Sequence, residues 1–176
     1  MNMAADIQQA ITEYAKAYRA LQHLQEASPL IPMGDQKTGC VGEFYDYLYL
    51  SDNYPDSMLE YGNHSEKGWD IAVKEGDRLF KVQTKTVSAY STTRVISPIH
   101  AGWDELHLIY LDRDLQPQGF WIITDTTFLP DGEALKSRKA PLPGNPATGS
   151  KGMPFGKNKI SDLRQSLMKY IGQYHN

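Results

Sequence analysis

Residues 69–88 read "WDIAVKEGDRLFKVQTKTVS", two runs rich in β-branched and aromatic residues separated by Gly76-Asp77. Glycine and aspartate between two such runs form a hairpin signal, so the stretch predicts two antiparallel strands that fold back on each other. Side chains alternate along a strand. Lys81, Gln83 and Lys85 therefore share one face of the second strand, while Phe80, Val82, Thr84 and Thr86 share the other, with Phe80 and Val82 aimed at a core. In the first strand Trp69, Ile71 and Val73 alternate with Asp70 and Ala72, so Asp70 stands apart from the apolar set. Folding back at Gly76-Asp77 brings Asp70 towards Gln83 and Lys85, where a carboxylate, an amide and an ammonium converge.

Working outward, "MLEYG" (58–62), "ELHLIYL" (105–111) and "GFWIITD" (119–125) have the same strand texture, which gives about five strands. Upstream, a helix is expected from about Thr38 to Leu50. Val41, Phe44, Tyr45 and Leu48 form its apolar stripe, and Glu43 lies on an adjacent stripe with Cys40, Tyr47 and Leu50. A carboxylate among apolar neighbours costs on the order of several kcal/mol unless a cation, a metal or a hydrogen-bond donor meets it. Residues 1–30 read as an amphipathic helix with Ile7, Ile11, Tyr14, Tyr18 and Leu21 in one stripe. That stripe covers about two heptads, short of a coiled coil, so the helix is expected to pack on its own domain. Residues 130–158 form a Pro/Gly-rich loop; a loop this long is usually functional or disordered. A last helix over 161–175 is expected, capped by Ser161, with Leu163, Leu167, Tyr170, Ile171 and Tyr174 at helical spacing. The expected architecture is one α/β (α+β) domain spanning residues 1–176. Its helix-plus-sheet core covers 38–128, a central mixed sheet flanked by helices.

The chain has 176 residues, 40% of them hydrophobic, enough for one ordinary core. It contains no apolar run long enough for a membrane span, and its first residues lack the apolar block of a signal peptide. Its one cysteine, Cys40, excludes an internal disulfide framework and a Cys-rich zinc site. A cytoplasmic protein is the expectation. Net charge is −3 but unevenly spread: residues 131–176 hold eight Lys/Arg against three Asp/Glu, and residues 1–130 hold ten against eighteen. The basic C-terminal quarter is suited either to phosphates or to a solvated surface.

The helix with "GEF", then "GWDIAV", then "VQTKT" resembles the PD-(D/E)XK nuclease superfamily, the restriction-endonuclease-like fold, and the Gln-x-Lys form is similar to its Mrr-type branch. The resemblance covers about residues 38–90. It implies a metal-dependent DNA endonuclease of restriction, defence or DNA-processing type, with Glu43, Asp70, Gln83 and Lys85 as its catalytic set. Asp70, Gln83 and Glu43 would serve Mg²⁺ or Mn²⁺, Glu43 through the metal's waters, with the Thr84 carbonyl as a further ligand. Lys85 would orient the attacking water or offset charge developing on the phosphate. Trp69 stands where the family has a proline, and Gln83 where it usually has a carboxylate. The second departure removes one negative charge and so predicts weaker metal binding. It also leaves open a catalytically inactive protein of the same fold that binds nucleic acid or protein. DNA is the expected partner, and cutting both strands with one site per chain would require two chains, a homodimer.

Four residues are candidates for substrate contact: Ser88, Thr92 and Arg94, in the polar stretch after the lysine, and His64, just ahead of Asp70. Each has an ordinary alternative as a hydrogen-bonded loop residue. Cys40 is expected to be a buried, inert thiol, and neither His100 nor His107 has metal-ligand spacing.

Overall fold

The computed structural model describes residues 3–27, 38–63, 68–124, 139–144 and 155–172. Its elements are α1 (Met3–Ala27), α2 (Thr38–Asn53), β1 (Met58–Tyr61), β2 (Ile71–Glu75), β3 (Arg78–Ser88), β4 (Glu105–Leu111), β5 (Pro117–Ile123) and α3 (Ile160–Ile171). The strands form one sheet in the order β1-β2-β3-β4-β5. β3 and β4 run parallel and the other neighbours antiparallel, so the sheet is mixed and the class is α+β. The β2–β3 hairpin closes where the sequence predicts. Glu75 pairs with Arg78, leaving Gly76-Asp77 as a two-residue turn, and Gly76 takes φ +58°, a conformation that costs glycine nothing.

All three helices pack on one face of the sheet. Ile11 and Ala15 of α1, Tyr45, Leu48 and Leu50 of α2, and Leu163 and Leu167 of α3 enclose Ile71, Val73, Val82, Ile109, Leu111 and Phe120. The opposite face is covered by loop residues instead: Ile96, Ile99, Trp103, Ala140 and Phe155 close over Val87, Leu106, Leu108, Trp121 and Ile123. Alternation along β3 and β4 divides these two sets.

Three expectations are corrected. The predicted α1 stripe splits in two: Ile11 and Tyr18 are buried, whereas Ile7, Tyr14 and Leu21 face out. Ser161 lies inside α3 and does not cap it. The end is held by Asn158, whose Oδ1 accepts the Ile160 N–H (3.1 Å) and the Phe120 N–H (3.0 Å), tying helix to strand. Cys40 is exposed, on the side of α2 turned away from the buried Val41 and Tyr45. Most of the Pro/Gly-rich loop, together with His64 and Tyr174, lies outside the described residues.

Candidate functional site

β2 is short and β3 is long. β2 pairs with β3 only as far as Val82, so from Gln83 onward β3 has a strand neighbour on the β4 side alone. Asp70, one residue ahead of β2, fills the gap. Its N–H donates to the Val82 carbonyl (2.8 Å), and its Oδ2 accepts the Thr84 N–H (2.8 Å) that a continuing strand would have taken. Asp70 is thereby locked against the Gln83-Thr84-Lys85 segment. Gly68 allows the approach: a Cβ there would fall 2.5 Å from the Ala101 carbonyl, so only glycine lets this segment lie against the loop that leads into β4.

Three of the four expected catalytic residues interact electrostatically. Burial pushes the Lys85 ammonium below its ordinary pKa, while the charges of Asp70 and Glu43 hold it up. Burial pushes the Asp70 carboxyl above its ordinary value. The Thr84 N–H and Lys85 work against that rise, and Asp46 adds to it. A partly desolvated carboxylate and ammonium, each shifted towards neutrality and each steadied by the other, fit a site that handles protons or ions. Gln83 is 1% exposed and, as alternation requires, lies on the other face of β3 from Val82 and Thr84. Beside the site the Trp69 ring is half-buried, and Lys81 Nζ lies 5.3 Å from its centroid, a cation over an aromatic face.

The expected substrate contacts divide. Thr92 is exposed. Ser88 is 3% exposed at the end of β3. Arg94 has φ +53°, and its guanidinium donates to the Ala140 carbonyl (2.8 Å), pinning loop to loop. In the basic C-terminal segment, Arg164 donates to Gln118 Oε1 (2.7 Å) and Lys169 to Asp52 Oδ1 (2.6 Å).

The sequence reading missed a buried polar chain beneath the site. Asp46 and His107 are both 0% exposed. Thr84 Oγ1 donates to Asp46 Oδ2 (2.6 Å), His107 Nδ1 to Asp46 Oδ1 (2.6 Å), and His107 Nε2 to Glu105 Oε2 (3.0 Å). Burial pulls the imidazole pKa down, but the charge and hydrogen bond of Asp46 and those of Glu105 outweigh it and raise it to about 9. The chain ends in a cleft of about 450 Å³ lined by Glu105, Tyr49, Tyr54 and Lys159. Burial, followed by the charges of Asp162, Glu105 and Asp46, pushes the Tyr49 phenol up to about 12. One sequence signal did exist: His107 shares its strand face with Ile109 and Leu111, where an unexplained polar residue demands a buried partner.

Among the described residues, no three His, Cys, Asp or Glu side chains gather as metal ligands. The donors present suit Mg²⁺, which takes one or two carboxylates and keeps most of its waters; they do not suit Zn²⁺ or Ca²⁺, which need more protein ligands.

No protein-family model matches the chain, and no curated protein matches it. Among solved structures, the chain is similar to a bacterial homing endonuclease, at 14% identity and a TM-score of 0.41, over 78% of this chain and 95% of that one.

Proposed function

We propose that the chain is a metal-dependent endonuclease of the PD-(D/E)XK type, hydrolysing phosphodiester bonds in DNA. The observation that carries this reading is that Asp70 and Lys85, with Glu43 in their field, come together just ahead of β2, where β3 keeps a strand neighbour on the β4 side alone. Asp70 and the Gln83 amide would hold Mg²⁺ or Mn²⁺, with Glu43 reached through water. When bound, such an ion supplies Lewis-acid polarisation of the phosphate and neutralises its charge.

The rest of the work falls to the chain. Asp70, fixed by the Thr84 N–H, keeps its carboxylate where an ion would be held. Lys85 aligns the attacking water and offsets the charge that develops as the water oxygen bonds to phosphorus and the water's proton passes to solvent. The P–O ester bond on the opposite side breaks, and the leaving oxygen collects a proton from solvent. Trp69 and Lys81 bound the site and offer a stacking surface and a phosphate contact. Thr92, Ser88, Arg94, His64 and the cations between residues 131 and 176 are further candidates for substrate contact. Gln83 in place of a carboxylate makes metal affinity weak, so cleavage should not saturate at low micromolar Mg²⁺.

One observation favours a second reading, a nuclease fold that binds but does not cut: Gln83, 1% exposed, leaves the site an uncharged amide where the family usually has a carboxylate. Cleavage of supercoiled plasmid and single-stranded DNA with Mg²⁺ or Mn²⁺ separates the two. Under the nuclease reading, Lys85→Ala and Asp70→Ala each lower the rate by on the order of 10²-fold or more. No cutting with either metal, together with DNA binding that both variants retain, would establish the binding module.

A further inference from the structure

The outward stripe of α1 is an apolar surface with its own period. Met3, Ile7, Tyr14, Leu21 and Leu24 are 65%, 38%, 37%, 42% and 56% exposed, and they make up five of the eleven large hydrophobic side chains exposed among the described residues. With the exposed Ala10 and Ala17 they fall at alternating steps of four and three from residue 3 to residue 24. That is the seam of a coiled coil, continued over three heptads and about 32 Å of helix. It lies beside the buried stripe of Ile11, Ala15 and Tyr18, which holds α1 to the rest of the fold, and the two stripes meet where Tyr14 stacks on Tyr18 (5.8 Å).

Size and charge along the seam select its occupant. In a parallel pair of α1 helices like meets like: Tyr14 would crowd Tyr14, and Ala10 and Ala17 would face each other across voids. In an antiparallel pair Tyr14 meets Ala17 and Leu21 meets Ala10, so large packs against small in the inner layers, while Ile7 and Leu24, both large, meet at the ends. On one side of the seam Asp6 and Glu13 lie in the first half and Lys16, one position further round, in the second, all exposed. Antiparallel pairing brings Lys16 of one copy to the level of Glu13 of the other and also opposes the helix dipoles.

We propose that α1 joins two copies of this chain in an antiparallel, two-fold symmetric dimer through the Met3–Leu24 seam. The inference rests on this helix face and is independent of the nuclease reading. A single helix pair is smaller than the roughly 800 Å² per partner of a standard interface, so the dimer is expected to be weak and concentration-dependent.

Sedimentation equilibrium of the whole chain over a concentration series tests it. The weight-average mass should rise from 19.9 kDa towards twice that value as concentration increases. The double substitution Ile7→Glu and Leu21→Glu should hold the mass at the monomer value. Both side chains face solvent, so the thermal midpoint at low concentration should stay unchanged. Orientation is read by disulfide cross-linking in a Cys40→Ser background: Ile7→Cys and Leu24→Cys proteins should cross-link when mixed and not separately. A chain that stays monomeric at every concentration, a dimer that survives both glutamates, or cross-linking of either cysteine variant alone would overturn the proposal.

Discussion

His107 carries a buried positive charge at neutral pH, held between Asp46 and Glu105. Its folded pKa, about 9, stands above the ordinary histidine value of about 6.5. Its contribution to stability is therefore complete below about pH 6.5 and is lost as pH rises through about 9. Urea unfolding at a series of pH values should show stability falling across that window, and His107→Gln should flatten the fall. Asp46→Asn removes one partner of a desolvated pair and should cost about 3 kcal/mol or more, read in the same titration. At this scale the sequence was legible wherever strand alternation governs: Asp70, Gln83 and Lys85 were placed by one hairpin and its two-residue period. The Asp46–His107 pair was not, because its members lie 61 positions apart on different elements and no local period connects them.

The helix α2 lies so close to β3 that a Cβ on Gly42 would fall 1.9 Å from Thr86 Oγ1. That approach brings Asp46 within reach of the Thr84 hydroxyl and Glu43 into the field of Lys85. Gly42→Ala should destabilise the protein by about 1–3 kcal/mol through overpacking. Adding Thr86→Ala should restore part of the loss, measured as the recovery in denaturation midpoint. Elements with strong periods were read well: every predicted strand is present, and the turn at Gly76-Asp77 is where glycine permits it. The errors share a physical cause. A 25-residue helix with apolar residues on two stripes looks like one broad stripe until a sheet buries one of them. A serine at a helix start looks like a cap until an asparagine three residues earlier takes the bond.

Across the whole molecule the two faces of the sheet differ: one is sealed by helices, the other by loops that include the segment after Lys85. DNA bound through scattered lysines on such loops should respond strongly to salt. If three phosphates are neutralised, affinity should fall roughly 40-fold between 50 and 200 mM salt, and fluorescence anisotropy with a labelled duplex would measure it. Arg164 and Lys169, already bonded to Gln118 and Asp52, should contribute less to that slope than Lys157. The indole next to Asp70 has a separate consequence, an optical one. The other two tryptophans, Trp103 and Trp121, are 5% and 0% exposed, while Trp69 is half-open and covered by the Lys81 ammonium. An ion settling on Asp70, or a phosphate drawing Lys81 off the ring, alters the surroundings of one chromophore out of three. If the site binds as proposed, the unlabelled protein would report its occupancy through its ultraviolet emission, and Trp69→Phe would silence the signal while leaving the emission of the two core indoles in place.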